Sequence, residues 1–519
     1  MPSIKRLLSF ETLVLCSILL VGGLLRFSRL DLYQDGFSGH SLSHLNFSLY
    51  YFHTLFPEVI RLNAQAAHEL LASVVMERAG PFALINALGM YIFGTGLEQY
   101  RMTQALLGTI NIFLGYILGC EIQSKRLGLI LAALIATSPW HINQSRYDDA
   151  EHIIAPMHFL LISIYALKAK RLGSLLPYSI LGFLLGVTWY TYASNLALLP
   201  VILVAFLLET KGSPSHLKQR LVPLLGLAIG FLLASLPQLY FGPFRTGLLR
   251  SLIRQPHSFS ESLIFRDGFG AALHAFFCEL FINSTDEWYA KAGGGLGITE
   301  IVFLPLVIFF FFYKMKGMRF SFAACYFGLI ALLSPLLGIL GPHPSFRRIM
   351  LLALVLQVTT AYVISYCAGS RKYFVRFATC AALLICLPID VYSYFTKVET
   401  PEVRGHLFER LAAQKIAEHG GPFIVCIVAD QQKQSINNLL HLISGLEYSK
   451  DLPLEMKPAF MNPDQLEDLK STAGISSIVM HPECALKLKH NHAYEEWRVR
   501  EELRFYDQKG RLAMTSWEM

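Results

Sequence analysis

Twelve apolar runs recur along this 519-residue chain, most of them close to the roughly 20 residues a helix needs to cross a hydrocarbon layer. They fall at 11–27, 81–96, 102–120, 127–140, 152–167, 174–192, 193–208, 221–240, 296–313, 319–340, 348–368 and 373–396. One or two anchors on a soluble protein would leave its composition soluble. Here 54% of residues are hydrophobic and 16% are charged, against about a quarter charged in soluble domains. Most of the chain therefore cannot face water. Lys5 and Arg6 precede the first run, and Gly22-Gly23-Leu-Leu-Arg is a poor cleavage site, so 11–27 reads as a retained span.

The net charge of +7 sits in short basic tufts between apolar runs, which is the form of a topology signal and excludes a nucleic-acid surface. With Lys5-Arg6 cytoplasmic, twelve spans would put Lys125-Arg126, Lys168/Lys170/Arg171, Lys211/Lys218/Arg220, Lys314/Lys316/Arg319 and Arg371/Lys372/Arg376 all outside. Removing one span before residue 120 brings every tuft inside. The run 81–96 is the one to remove: it opens with Pro81 and carries Asn86 and three glycines, as a re-entrant or juxtamembrane segment would. The expected fold class is an all-α polytopic membrane protein of about 11 spans plus that segment. It covers residues 1–396 and has a first external loop of about 28–100 and a second of about 141–151. Residues 397–519 change character. The short β-branched runs in HGGPFIVCIVADQQ and GISSIVMHPE, set between turn residues, predict a small extracytoplasmic α/β domain.

Nine cysteines, scattered mostly through apolar runs, form neither a disulfide framework nor a metal cluster, although Cys426 and Cys484 could pair outside the cell. His40 and His44 are spaced for a metal but have no third ligand. The sequons at Asn46, Asn143 and Asn283 fall in segments expected outside.

The chemistry is expected at the external membrane face, where ionisable groups near lipid are expensive and tend to be functional. Asp35 follows the first span in RLDLYQDGFSGHS, and Asp148, Asp149 and Glu151 follow the third in SPWHINQSRYDDAEH. A carboxylate there can take a proton from an acceptor hydroxyl. Solvation of a helix end is the plainer reading for any one of them. Arg347 and Arg348 break the positive-inside pattern in GPHPSFRRIMLL, with His343 beside them. Their planar donor forks suit a phosphate, as do those of Arg146 and, less directly, the ammonium of Lys291. Arg245, Arg250 and Arg254 are further candidates.

In order and motif the chain resembles the GT-C superfamily of lipid-linked-sugar glycosyltransferases, within it the protein O-mannosyltransferase and aminoarabinose transferase group. The resemblance covers roughly residues 10–370. It rests on RLDLYQDGF after the first span, on the stretch Phe82–Arg146 ending in SPWHINQSR, and on HPSFRRIMLLA. It implies a polyprenyl-phosphate sugar donor and a lipid, glycan or protein acceptor. Asp35 would act on the acceptor, the anomeric carbon would invert, and Arg347, Arg348 and Arg146 would hold the departing phosphate. A divalent metal stays open. The group has Asp-Glu where this chain has Asp35-Gly36. Two other readings stand beside it: a lipid or solute transporter or flippase, and an inactive relative that binds a lipid-linked sugar. The absence of an internal repeat, and candidate charges at the membrane surface instead of mid-span, count against the transporter.

Overall fold

Each of the twelve apolar runs lies on a helix. A computed structural model describes residues 10–28, 47–76, 80–95, 97–146, 150–190, 198–209, 217–241, 296–315, 322–339 and 346–398, five strands near the C-terminus, and scattered positions between them. The helices are α1 (Phe10–Phe27), α2 (Phe56–Ile60), α3 (Ala64–Met76), α4 (Gly80–Phe93), α5 (Leu97–Ile122), α6 (Lys125–Thr137), α7 (Pro139–Arg146) and α8 (Ala150–Leu172). They continue as α9 (Leu175–Val187), α10 (Leu198–Glu209), α11 (Leu217–Phe241), α12 (Ile298–Met315), α13 (Phe322–Ile339), α14 (Phe346–Ala368) and α15 (Tyr373–Val398).

Among the described residues, five helical stretches are long and apolar enough to cross a membrane: Phe10–Phe27, Glu98–Ile122, Ile153–Leu172, Met350–Ala368 and Tyr373–Thr396. The chain is a multi-pass membrane protein. The segment expected to be juxtamembrane, α4, has 14 residues. At 1.5 Å per residue it is about 21 Å long, short of a hydrocarbon layer of about 30 Å.

The chain divides into two compact units. The first comprises Met1–Ser28, Ala72–Pro81 and Gln104–Lys397, and the second Arg29–Leu71, Phe82–Thr103 and Val398–Met519. Unit one is a helical bundle with a continuous apolar core running from Ile112 to Ile364. Lipid tails are as apolar as leucine, so its helices gain little from hydrophobic burial and associate by close packing. The α9–α11 crossing shows this. Both helices carry a Gly-x-x-x-Gly pair, Gly182/Gly186 and Gly226/Gly230, and each glycine is set against the partner helix. A methyl on Gly186 would lie 2.6 Å from Ala234 Cβ, and one on Gly226 would lie 2.6 Å from Tyr178 Cβ. The α5–α6 turn repeats the device, with Gly119 set against the backbone of Gly128.

Two expectations change here. The second external loop, expected at 141–151, is mostly helix. Ser138 leaves α6 in an extended conformation (φ −60°, ψ 122°), and Pro139 then opens α7, whose eight residues are all buried. Asn143 is consequently 1% exposed and cannot serve as a surface sequon. Asn46, Asn283, His40, His44 and Cys484 lie outside the described residues.

Unit two holds a mixed five-stranded sheet of β1 (Phe423–Cys426), β2 (Ala459–Met461), β3 (Ser477–Met480), β4 (Glu501–Tyr506) and β5 (Leu512–Glu518), in the order β2-β1-β3-β5-β4. β1 runs parallel to both β2 and β3, and β5 runs antiparallel to β3 and β4. β1 and β3 are the two β-branched runs legible in the sequence. The core of this unit joins distant parts of the chain: Leu45, Leu49, Met90 and Tyr100 pack with Ala412, Ile416, Val425 and Val479. The aromatic stretch 45–56 is helical from Phe47, with a π turn at Tyr51–Leu55. In the same unit the Tyr50 hydroxyl donates to Glu69; partial burial, together with that bond, pushes the phenol up to about 12.

Candidate functional site

The site grows from two features of unit one. α1 ends in Leu-Leu-Arg-Phe, placing Arg26 in its last turn, where the helix dipole favours a cation. α7 is the helical form of PWHINQSR and likewise ends on an arginine, Arg146. Both side chains are buried, Arg26 at 0% and Arg146 at 1% exposure. The Arg146 guanidinium donates to Leu25 O at 2.7 Å and stands 5.6 Å above the Phe395 ring.

All five N–H donors of Arg26 are used. Nη1 donates to Gly22 O at 2.8 Å and to Ala136 O at 3.1 Å. Nη2 donates to Ile135 O at 2.9 Å and to His141 Nδ1 at 3.1 Å. Nε donates to Ser145 Oγ at 3.1 Å, and that hydroxyl donates onward to His141 O. Ile135 and Ala136 lie in the last turn of α6, where carbonyls lack helical partners, so Arg26 also caps that helix. A guanidinium can only donate, so His141 accepts at Nδ1 and carries its proton on Nε2. Asn111 closes the cluster, donating to Ile153 O at 3.2 Å and lying 3.4 Å from His141 Nε2. The arrangement concentrates fixed positive charge in an apolar bundle, at the junction of α1, α6 and α7. Such a place suits an anion whose charge must be held without water.

A second polar cluster joins α12, α14 and α15. Asp390 accepts from Ile298 N, from Thr299 N at 3.3 Å and from Thr299 Oγ1 at 2.5 Å, and so caps the start of α12. Glu300 Oε1 accepts from Gln357 Nε2 at 3.0 Å. Glu300 is 2% exposed, Asp390 1% and Gln357 0%. Buried carboxylates thus stand in the first turn of α12 and towards the end of α15, inside two of the apolar runs. Among the described residues no three His, Cys, Asp or Glu side chains converge to hold a metal.

The model of one protein family, dolichyl-phosphate-mannose-protein mannosyltransferase, matches residues 80–241, under a third of the chain. No curated protein sequence matches. Among solved structures, ArnT from Cupriavidus metallidurans bound to undecaprenyl phosphate superposes with a TM-score of 0.53 over 97% of each chain, at 14% identity. The chain has the GT-C fold. The oligosaccharyltransferase of Archaeoglobus fulgidus agrees at the level of fold. Its complex with Zn and sulfate gives a TM-score of 0.51 at 15% identity, covering 96% of this chain and 72% of the other. Its form tethered to an acceptor peptide gives 0.50 at 15% identity, covering 98% and 74%.

Of the candidate residues singled out in the sequence, the structure describes the side chain of Arg146 and places it in the buried cluster. Glu151 lies in the first turn of α8, and Arg347 and Arg348 in the first turn of α14; their side chains are outside the described set. Asp35, Asp148, Asp149, Lys291 and His343 lie outside the described residues, as do Arg245, Arg250 and Arg254. The structure adds Arg26, His141, Ser145 and Asn111, together with Glu300, Asp390 and Gln357. Arg26 carried a signal: at the end of the first run that the charge pattern assigns outside, an arginine breaks the positive-inside pattern as Arg347 does.

Proposed function

We propose that the chain is a membrane glycosyltransferase that moves a sugar from a polyprenyl-phosphate donor to an extracytoplasmic acceptor, with inversion at the anomeric carbon. The observation that carries this is the buried Arg146 guanidinium at the end of α7, in the motif shared with the lipid-linked-sugar transferases and braced by Arg26, whose own donors are all used within the fold. It is supported by the GT-C fold, by the local match to a mannosyltransferase family, and by the undecaprenyl phosphate named for the similar ArnT structure. In this reading the lipid phosphate leaves toward Arg146, with Arg347, Arg348, His343 and Lys291 as further donors. Arg26 spends its donors on main-chain and side-chain acceptors and holds α7 so that Arg146 is correctly placed. Electrostatic stabilisation of a phosphate leaving group requires no strong general acid. Asp35, or one of Asp148, Asp149 and Glu151, takes the acceptor's proton as it attacks from the face opposite the phosphate. The N-terminus lies in the cytoplasm, and the active site and residues 397–519 lie outside. The acceptor is a lipid, a glycan or a protein.

The test is mass spectrometry of lipids that co-purify with the wild-type protein and with Asp35→Asn. A polyprenyl-phosphate sugar enriched on the variant supports the transferase and identifies its donor. Absence of any polyprenyl species from both proteins removes the reading in favour of a transporter.

A further inference from the structure

Arg26 and Arg146 mark one end of the helical bundle, and the other end carries charge of a different kind. α1 and α6 run side by side, joined by the Glu11–Lys125 pair at their first turns and by Arg26 on Ala136 O at their last. From Glu11 to Arg26 is about 22 Å along α1, at 1.5 Å per residue. At the Glu11 end two cations are neutralised: Lys125 meets Glu11 at 2.8 Å, and Arg171 meets Glu121 at 2.9 Å. Four others, Arg126, Arg371, Lys372 and Arg376, are exposed and have no carboxylate partner among the described residues.

These four belong to one helix junction. α6 packs on α14, and the Arg126 guanidinium stands beside Gly369, which closes α14; a methyl on that glycine would lie 3.6 Å from Nη1. The turn that follows carries Arg371 and Lys372, with Lys372 N donating to Ser370 Oγ at 3.2 Å, and Arg376 comes in the first turn of α15. Large apolar rings face outward beside them. Tyr373 and Phe374 are 74% and 79% exposed and Phe377 61%, and the rings of Tyr373 and Phe377 stack at 6.3 Å.

We propose that this junction, Arg126 with Arg371, Lys372 and Arg376 beside the exposed rings that open α15, is a binding site for an anionic phospholipid. Guanidinium forks match a phosphate, and basic groups just outside a span attract anionic headgroups. A soluble anion would use the cations alone and leave three large rings in water. A lipid uses both, because its phosphate is joined to acyl chains and aromatic rings settle at the boundary between headgroup and chain. A topology signal asks only that cations lie on this side of the membrane. It asks neither that they lack counter-charges nor that exposed rings adjoin them. The site is independent of whether the chain transfers sugars.

The experiment delipidates the purified full-length protein in a neutral detergent and adds phosphatidylglycerol or phosphatidylcholine at equal concentration. Free lipid is removed by gel filtration, and the lipid retained per chain is counted by mass spectrometry. Wild type is expected to retain at least one more phosphatidylglycerol than phosphatidylcholine. Arg371→Gln/Lys372→Gln should cut that excess several-fold, and high salt should do the same to wild type. Lys125→Gln, whose charge Glu11 already neutralises, should keep the excess, whereas Phe374→Ser should lower retention. If the double variant fails to accumulate, Arg126→Gln is measured the same way. Equal retention on wild type and the arginine variants overturns the proposal, as does the absence of any preference for phosphatidylglycerol. Displacement of the lipid by inorganic phosphate also overturns it, and makes the junction a site for small anions.

Discussion

Arg26 and Glu300 are both charged side chains buried among apolar helices, yet their surroundings are opposite. Around Arg26 every donor meets an acceptor, three main-chain carbonyls among them. Around Glu300 one carboxylate oxygen accepts from Gln357, and a second carboxylate, Asp390, stands nearby on the far side of Gly297. Burial of a charge is thus not in itself a functional signal. A saturated charge is a fastener, and one set beside a like charge is held at a cost.

The comparison can be broken by substitution. Arg26→Met should have the largest effect, because it strips two end-of-helix carbonyls, His141 and Ser145 of their donor in one step. A loss of about 3 kcal/mol or more is expected, seen as a fall in the unfolding midpoint in detergent. Arg26→Lys, with three donors in place of five, should recover part of it. Gly230→Leu gives the uncharged standard. Overpacking the α9–α11 crossing should cost about 1–3 kcal/mol in the same measurement. If Arg26→Met is no worse than this, the fastener reading fails.

Glu300→Gln should be nearly silent, within about 1 kcal/mol and on the stabilising side, since it removes one of two neighbouring negative charges. A large destabilisation would mean that Glu300 is as well satisfied as Arg26. The smallest effect belongs to Glu11→Gln, which removes the 2.8 Å pair with Lys125. That pair is exposed, so the loss should barely move the unfolding midpoint and should vanish at high salt.

The sequence disclosed the helices through the length and spacing of their apolar runs, because crossing a lipid layer is a condition each segment satisfies by itself. Its local motifs disclosed Arg146, since SPWHINQSR is contiguous. β1 and β3 showed as β-branched runs, whereas β2 is three residues long, and β4 and β5 carry charges or polar residues that hide their alternation. The carboxylate cluster was not legible as a cluster: Glu300 and Asp390 stand 90 positions apart as single charges inside long apolar runs. Each alone reads as a tolerated exception.

What the sequence determined by itself is the class of molecule, a multi-pass helical membrane protein with a small sheet near its C-terminus, because hydropathy and turn chemistry act over a few residues. What only the tertiary structure decided is which of its charges are satisfied. Hydrogen bonds such as Arg26 to Ser145 and Thr299 to Asp390 join residues on different helices. No local pattern can report whether a distant partner has arrived.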